Sequence, residues 1–156
     1  MIPSAVIKML LPLACKWAEQ QEHIILRDGV ALTPSQTEDA LRIGVQEPER
    51  VRLRVVEEIP MLENTILRAA AARAGLISPF TIGLTLRYGI FIRADHWGER
   101  RLVVHELAHT AQYERLGGFK EFLSAYLDEC LTVGYPNGPL EQEAKRWEVE
   151  ILGSSS

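Results

Sequence analysis

The chain has little sulfur and no excess of positive charge. Two cysteines among 156 residues, Cys15 and Cys130, stand far apart with no CxxC pair. That spacing excludes a thiolate zinc site and offers no disulfide framework, so two free thiols in a reducing compartment are expected. Lys and Arg number 17 against 21 Asp and Glu, a formal net charge of −4. Such a balance would release few counterions from a polyphosphate, which excludes DNA and RNA as partners. A membrane span is excluded too, because no apolar run is long enough. The best candidate, MIPSAVIKMLLPLACKWAEQQ, is interrupted by Lys8. Its likeness to an export signal is superficial: no Lys or Arg precedes the apolar run, and Pro12 stands where a lipoprotein cleavage box requires Leu. A cytoplasmic protein is expected.

What is present is the make-up of a folded domain, 47% hydrophobic and 24% charged, long enough to bury a core. One domain is expected over residues 1–152, followed by a tail at 153–156. Residues 4–22 read as an amphipathic helix capped by Ser4, which Pro12 should bend or split. Asp28-Gly29 between short apolar runs suggests a hairpin. Thr33, Pro34 and Gln36 form a capping-box start, and Gly44 a stop, for a helix at 34–43. In EPERVRLRVVEEIP, Val51, Leu53 and Val55 alternate with Arg50, Arg52 and Arg54, a strand with one buried face and a solvated arginine face. A helix over 61–74 should stop at Gly75, with a break confirmed by Ser78-Pro79. Two β-rich runs in 80–93, joined at Tyr88-Gly89, predict a tight hairpin. Helices follow at 99–116 and 119–133, then a last one after GYPNGP, with Asn137 as cap and Pro139 in its first turn. Strands and helices segregated in this way imply an α+β fold.

Only four histidines occur, and RLVVHELAHT places two of them around a glutamate. On a helix, side chains four apart project within about 40° of each other, displaced by about 6 Å. His105 and His109 can therefore grip one ion, with Glu106 beside them and able to reach water. This is the HExxH arrangement, in which two imidazoles hold Zn²⁺ and the glutamate takes a proton from water. A helical wheel puts Val103, Val104, Leu107, Ala108 and Ala111 on one side and His105, Glu106, His109 and Gln112 on the other. The pattern suits a helix between a core and a cleft.

A catalytic zinc takes three protein ligands, and Glu141 and Glu143 in PLEQEAKRWE are the candidates for the third. On that helix Leu140, Ala144, Trp147 and Ile151 form the buried stripe. The two glutamates flank it, and periodicity does not choose between them.

HELAH followed by this glutamate helix resembles the glutamate zincins, the thermolysin-like metallopeptidases, and especially their minimal single-domain forms. The likeness covers roughly residues 80–150 and leaves 1–78 outside it. In several zincin families the third ligand precedes an alanine by three positions, which Glu141 does through Ala144. The resemblance thus favours Glu141, although Lys145 stands where the pattern often has Asp or Asn. It implies a zincin-like fold in which the hairpin beside the cleft binds peptide by strand addition.

The function so implied is zinc-dependent hydrolysis of peptide or protein substrates, with Glu106 as general base. A further donor should stabilise the oxyanion: Tyr135 first, then Tyr126 and His96. Gln112 or Asp128 could hold a ligand histidine in one tautomer. His23, Trp17 and Trp97 are assigned to packing or surface. The alternative is a zinc-binding interaction module that cleaves nothing. Substrate identity and oligomeric state are not legible.

Overall fold

A computed structural model of the chain describes residues 4–73, 75, 81–135 and 137–153. It is α+β and mostly helical, with one small mixed sheet. Helix α1 spans Ser4–Asp28 as a single element with Pro12 inside it, so the expected split at Pro12 does not occur. The Ser4 side chain, the Ser78-Pro79 break and most of the tail lie outside what is described.

No hairpin forms at Asp28-Gly29. The sequence HIILRD instead continues α1, because Ala18, Glu22 and Ile25 make one buried stripe at helical spacing. The helix stops at Gly29, whose N–H donates to the Ile25 carbonyl at 2.7 Å. Any Cβ at Gly29 would sit 2.9 Å from the Leu53 carbonyl oxygen, so glycine here permits close backbone approach. Asp28 pairs with Arg54 at 2.6 Å rather than turning a ribbon.

The two-residue strand β1 (Val30–Ala31) joins β2 (Arg52–Val56) antiparallel, β2 joins β4 (Gly89–Arg93) parallel, and β4 joins β3 (Gly83–Leu86) antiparallel. The order is β1-β2-β4-β3, which leaves β3 on an edge. In β2, Leu53 is buried but Val55 is 49% exposed, so the predicted alternation fails at its end. The three arginines are each tied within the chain: Arg50 to Glu47, Arg52 to the Glu49 carbonyl and Arg54 to Asp28. The β3–β4 turn is Arg87-Tyr88, one residue earlier than expected, with Gly89 already paired to Leu86. Arg87 takes φ of 60°, held by its ion pair with the buried Glu22 at 2.7 Å.

Helix α2 (Pro34–Ile43) has the predicted capping box at Thr33 and Gln36 and a left-handed Gly44 at its end. Helix α3 (Thr65–Arg73) starts later than expected, where the Asn64 side chain accepts from the Leu67 N–H at 2.9 Å. Helices α4 (Arg100–Leu116), α5 (Phe119–Thr132) and α6 (Pro139–Leu152) complete the chain. Asn137 does not cap α6. That position belongs to Gly138, and the Glu129 carboxylate of α5 accepts from the Leu140 N–H at 2.8 Å, meeting the positive end of the helix.

Helix α4 is the centre of the molecule. Val104 and Leu107 pack with Ile90 and Ile92 of β4 on one side, while Tyr113 stacks on Phe122 of α5, ring centroids 3.8 Å apart. From Leu102 to Tyr113 every residue is buried except the half-buried His105. The two sides of the wheel differ as expected: Val103, Val104, Leu107, Ala108 and Ala111 join the core, while His105, Glu106 and His109 line a cavity and Gln112 is covered by α6. No helix among the described residues is long and apolar enough to cross a membrane.

Candidate metal centre

Two helices build the site. Four-residue spacing on α4 aims His105 and His109 the same way, their rings edge to face with centroids 5.0 Å apart. Helix α6, packed along α4, brings Glu141 to meet them. The Nε2 of His105 lies 2.6 Å from Glu141 Oε1, and that of His109 lies 3.2 Å from Oε2. One ligand atom from each of the three residues falls within 4.8 Å of the others. Glu143, the alternative third ligand, is engaged elsewhere, accepting from Gln112 at 2.7 Å and Arg115 at 3.0 Å.

The opposite ring nitrogens are fixed. Gln112 Nε2 donates to the Leu140 carbonyl and to Glu143, so its oxygen must accept from His109 Nδ1–H, at 2.8 Å. His105 Nδ1–H donates to Glu148 at 2.7 Å. Both Nε2 atoms are thus the ones turned to Glu141, the orientation that a metal-ligating histidine needs. Glu141 is itself held by the Tyr126 hydroxyl, which donates to Oε2 at 2.7 Å.

The charges explain the titration. Burial opposes a charged His105, but hydrogen bonding to Glu141, the charge of Glu106 and the bond to Glu148 prevail and push its pKa up to about 9. His109 moves the same way against its burial, through Glu141 and Glu106. Burial would raise Glu141, yet hydrogen bonds from both histidines hold it well below the usual carboxylate range. Two Nε2 protons carry the same +2 charge as one divalent cation. The donor set of two imidazoles and one carboxylate fits zinc among others, and the surrounding carboxylates already balance that charge.

Glu106 is buried beside the trio. Its carboxylate accepts from the Thr85 hydroxyl of β3 at 2.7 Å, and a Cβ at Gly83 would stand 3.2 Å from Glu106 Oε2. Both residues line a cavity of about 570 Å³ together with the histidines. Tyr135 also lines it and is half exposed; partial burial first, then the charges of Glu141 and Glu106, push its phenol up to about 12, so it stays a proton donor at neutral pH. Tyr126 is committed to Glu141 rather than aimed at a substrate. His96 is outside the cavity lining and contacts Glu99. Asp128 is exposed, and its backbone carbonyl accepts from the Thr132 hydroxyl.

Sequence reasoning missed Glu148 and Thr85. Glu148 had a signal, since it lies seven residues after Glu141 and so returns to the same helix face. Thr85 had none, because its contact with Glu106 depends on how β3 docks on α4. No protein-family model, no curated protein and no solved structure matches this chain.

Proposed function

We propose that the chain is a zinc-dependent peptidase with a zincin-like fold. The observation that carries this reading is the convergence of His105, His109 and Glu141 within 4.8 Å, with Glu106 facing the same cavity. The three would hold the ion. Zinc supplies Lewis acidity there, polarising a substrate carbonyl and making water easier to deprotonate.

The remaining work falls to the chain. Glu106 accepts the proton from the attacking water and delivers it to the leaving amine. Thr85 keeps one Glu106 oxygen engaged by a hydrogen bond, which fixes the carboxylate's direction and leaves the other oxygen for the reaction. Gln112 and Glu148 hold the two imidazoles in the tautomer that presents Nε2. Tyr135 is the candidate donor to the developing oxyanion.

Substrate alignment follows from the edge position of β3. Arg93 N–H bonds the Ile82 carbonyl at 2.9 Å, which sets the ladder's alternation: Leu84 and Leu86 bond toward β4, and Gly83 turns its N–H and C=O outward. An extended peptide can add there as a further strand.

Metal content per chain tests the reading, measured for wild type, Glu141→Ala and Glu143→Ala, with peptide hydrolysis followed for wild type and Glu106→Gln. About one zinc per chain is expected, lost in Glu141→Ala and kept in Glu143→Ala, with hydrolysis abolished but zinc retained in Glu106→Gln. Stoichiometric zinc with no cleavage of any peptide by the wild type would favour a metal-binding interaction module instead.

A further inference from the structure

The cavity that receives Glu106 extends well past the candidate metal centre. Its charged lining residues all come from α4, α6 and Glu99 just before α4. The rest is mainly apolar, walled by Leu10 and Trp17 of α1, Leu67 and Ala71 of α3, and Leu123 and Leu127 of α5. At about 570 Å³ it falls within the roughly 300–1,000 Å³ of sites that enclose whole small molecules. One side chain would leave most of it empty.

The gallery is continuous with the outward edge at Gly83, since Gly83, Leu84 and Thr85 of β3 line it as well. A peptide laid along that edge turns alternate side chains to one face. We infer, resting on the peptidase reading, that the substrate is an extended segment with bulky apolar residues at alternate positions beside the scissile bond. Helices α1 and α3 make the selection. Folded proteins bury such runs, so the targets are unfolded chains or exposed apolar segments.

Two internally quenched decapeptides test this, one centred on Leu-Val-Phe-Leu and one on Ser-Gln-Thr-Ser, both with charged ends. Zinc-loaded protein should cleave the apolar peptide with a kcat/KM roughly tenfold or more above the polar one. Ala14→Trp and Ala70→Trp, which project into the gallery from partly exposed positions, should bring that ratio toward unity with zinc content unchanged. Titration of both peptides, and of dodecanoate, onto zinc-loaded Glu106→Gln protein reads the gallery without turnover. Tighter binding of the apolar peptide there, weakened by either tryptophan, supports the gallery's selection of apolar segments even if nothing is cleaved, in which case it is the peptidase reading that fails. Equal cleavage of the two peptides, a ratio indifferent to both tryptophans, or binding of dodecanoate but neither peptide overturns it.

Discussion

Glu148 stands seven residues beyond Glu141 on α6, and the two carboxylates hold opposite nitrogens of one ring, His105, at 2.7 and 2.6 Å. The ring is therefore fixed in plane and tautomer by a single helix. Removing Glu148 frees the imidazole to rotate and weakens its basicity, while Glu141 and both histidines stay in place. Glu148→Ala should lower zinc affinity by about 10–100-fold without abolishing binding. Competition with a chromogenic chelator checks this; an affinity equal to wild type would mean that Glu148 only decorates the surface with Arg101, its other partner at 3.2 Å.

Gln112 performs the equivalent task for His109 but is wholly buried, so its loss has a second consequence. In Gln112→Leu the His109 Nδ1–H and the Leu140 carbonyl both lose a partner in the interior. A buried donor left without an acceptor, as His109 Nδ1–H would be, costs about 1–3 kcal/mol. A destabilisation of that order should appear in urea unfolding of the metal-free protein, alongside weaker zinc binding. Glu143→Gln keeps an acceptor for Gln112 and should change stability far less.

The elements that local chemistry specifies were legible in the sequence. The Thr33–Gln36 box, the Gly44 stop, the β3–β4 hairpin and the aim of His105 and His109 depend on neighbours within a turn or two. Which glutamate meets the histidines was not legible from periodicity, because both flank the same stripe; the way α6 lies on α4 brings Glu141 to them and Glu143 to Gln112 and Arg115. Asp28-Gly29 misled because its dipeptide suits a hairpin, whereas burial of Ile25 against Gly89 carries the helix to that point. Asn137 misled for a related reason: a carboxylate from α5, distant in sequence, reached the α6 terminus first. Tyr126 was read for catalysis, since nothing local reveals that its hydroxyl is spent on Glu141.

The metal-free protein should be most stable in mildly acidic solution. His105, raised from 6.5 to about 9 on folding, contributes stability that is complete below 6.5 and is lost as pH rises toward 9. Glu141, depressed from 4.5, contributes stability that is present above 4.5 and is lost as pH falls below it. The two windows overlap between about 4.5 and 6.5. Thermal unfolding after exhaustive chelation should show its maximum there, and zinc should move that maximum upward in pH because the ion replaces the Nε2 protons. A metal-free optimum above pH 8 would contradict the charge balance described for the trio.

Gly83 separates general-base geometry from metal binding. Its backbone is not in the left-handed region, so alanine is conformationally permitted. The new methyl would nevertheless meet Leu102 Cδ1 at 3.1 Å and the Glu106 carboxyl group at 3.2 Å, closer than carbon and oxygen normally approach. Glu106 must then give way by a few tenths of an ångström, straining its bond to Thr85, while the atoms nearest the methyl belong to Leu102 and Glu106 and not to His105, His109 or Glu141. Gly83→Ala should therefore retain stoichiometric zinc but lose kcat by about tenfold or more, part of the roughly 10²–10⁴ that a positioned base supplies. Thr85→Val should act in the same direction by removing the hydroxyl that orients the carboxylate. If substrate binds along the strand edge and the gallery as proposed, a fall confined to kcat in Thr85→Val locates the defect at Glu106; a rise confined to KM would place Thr85 in substrate alignment instead.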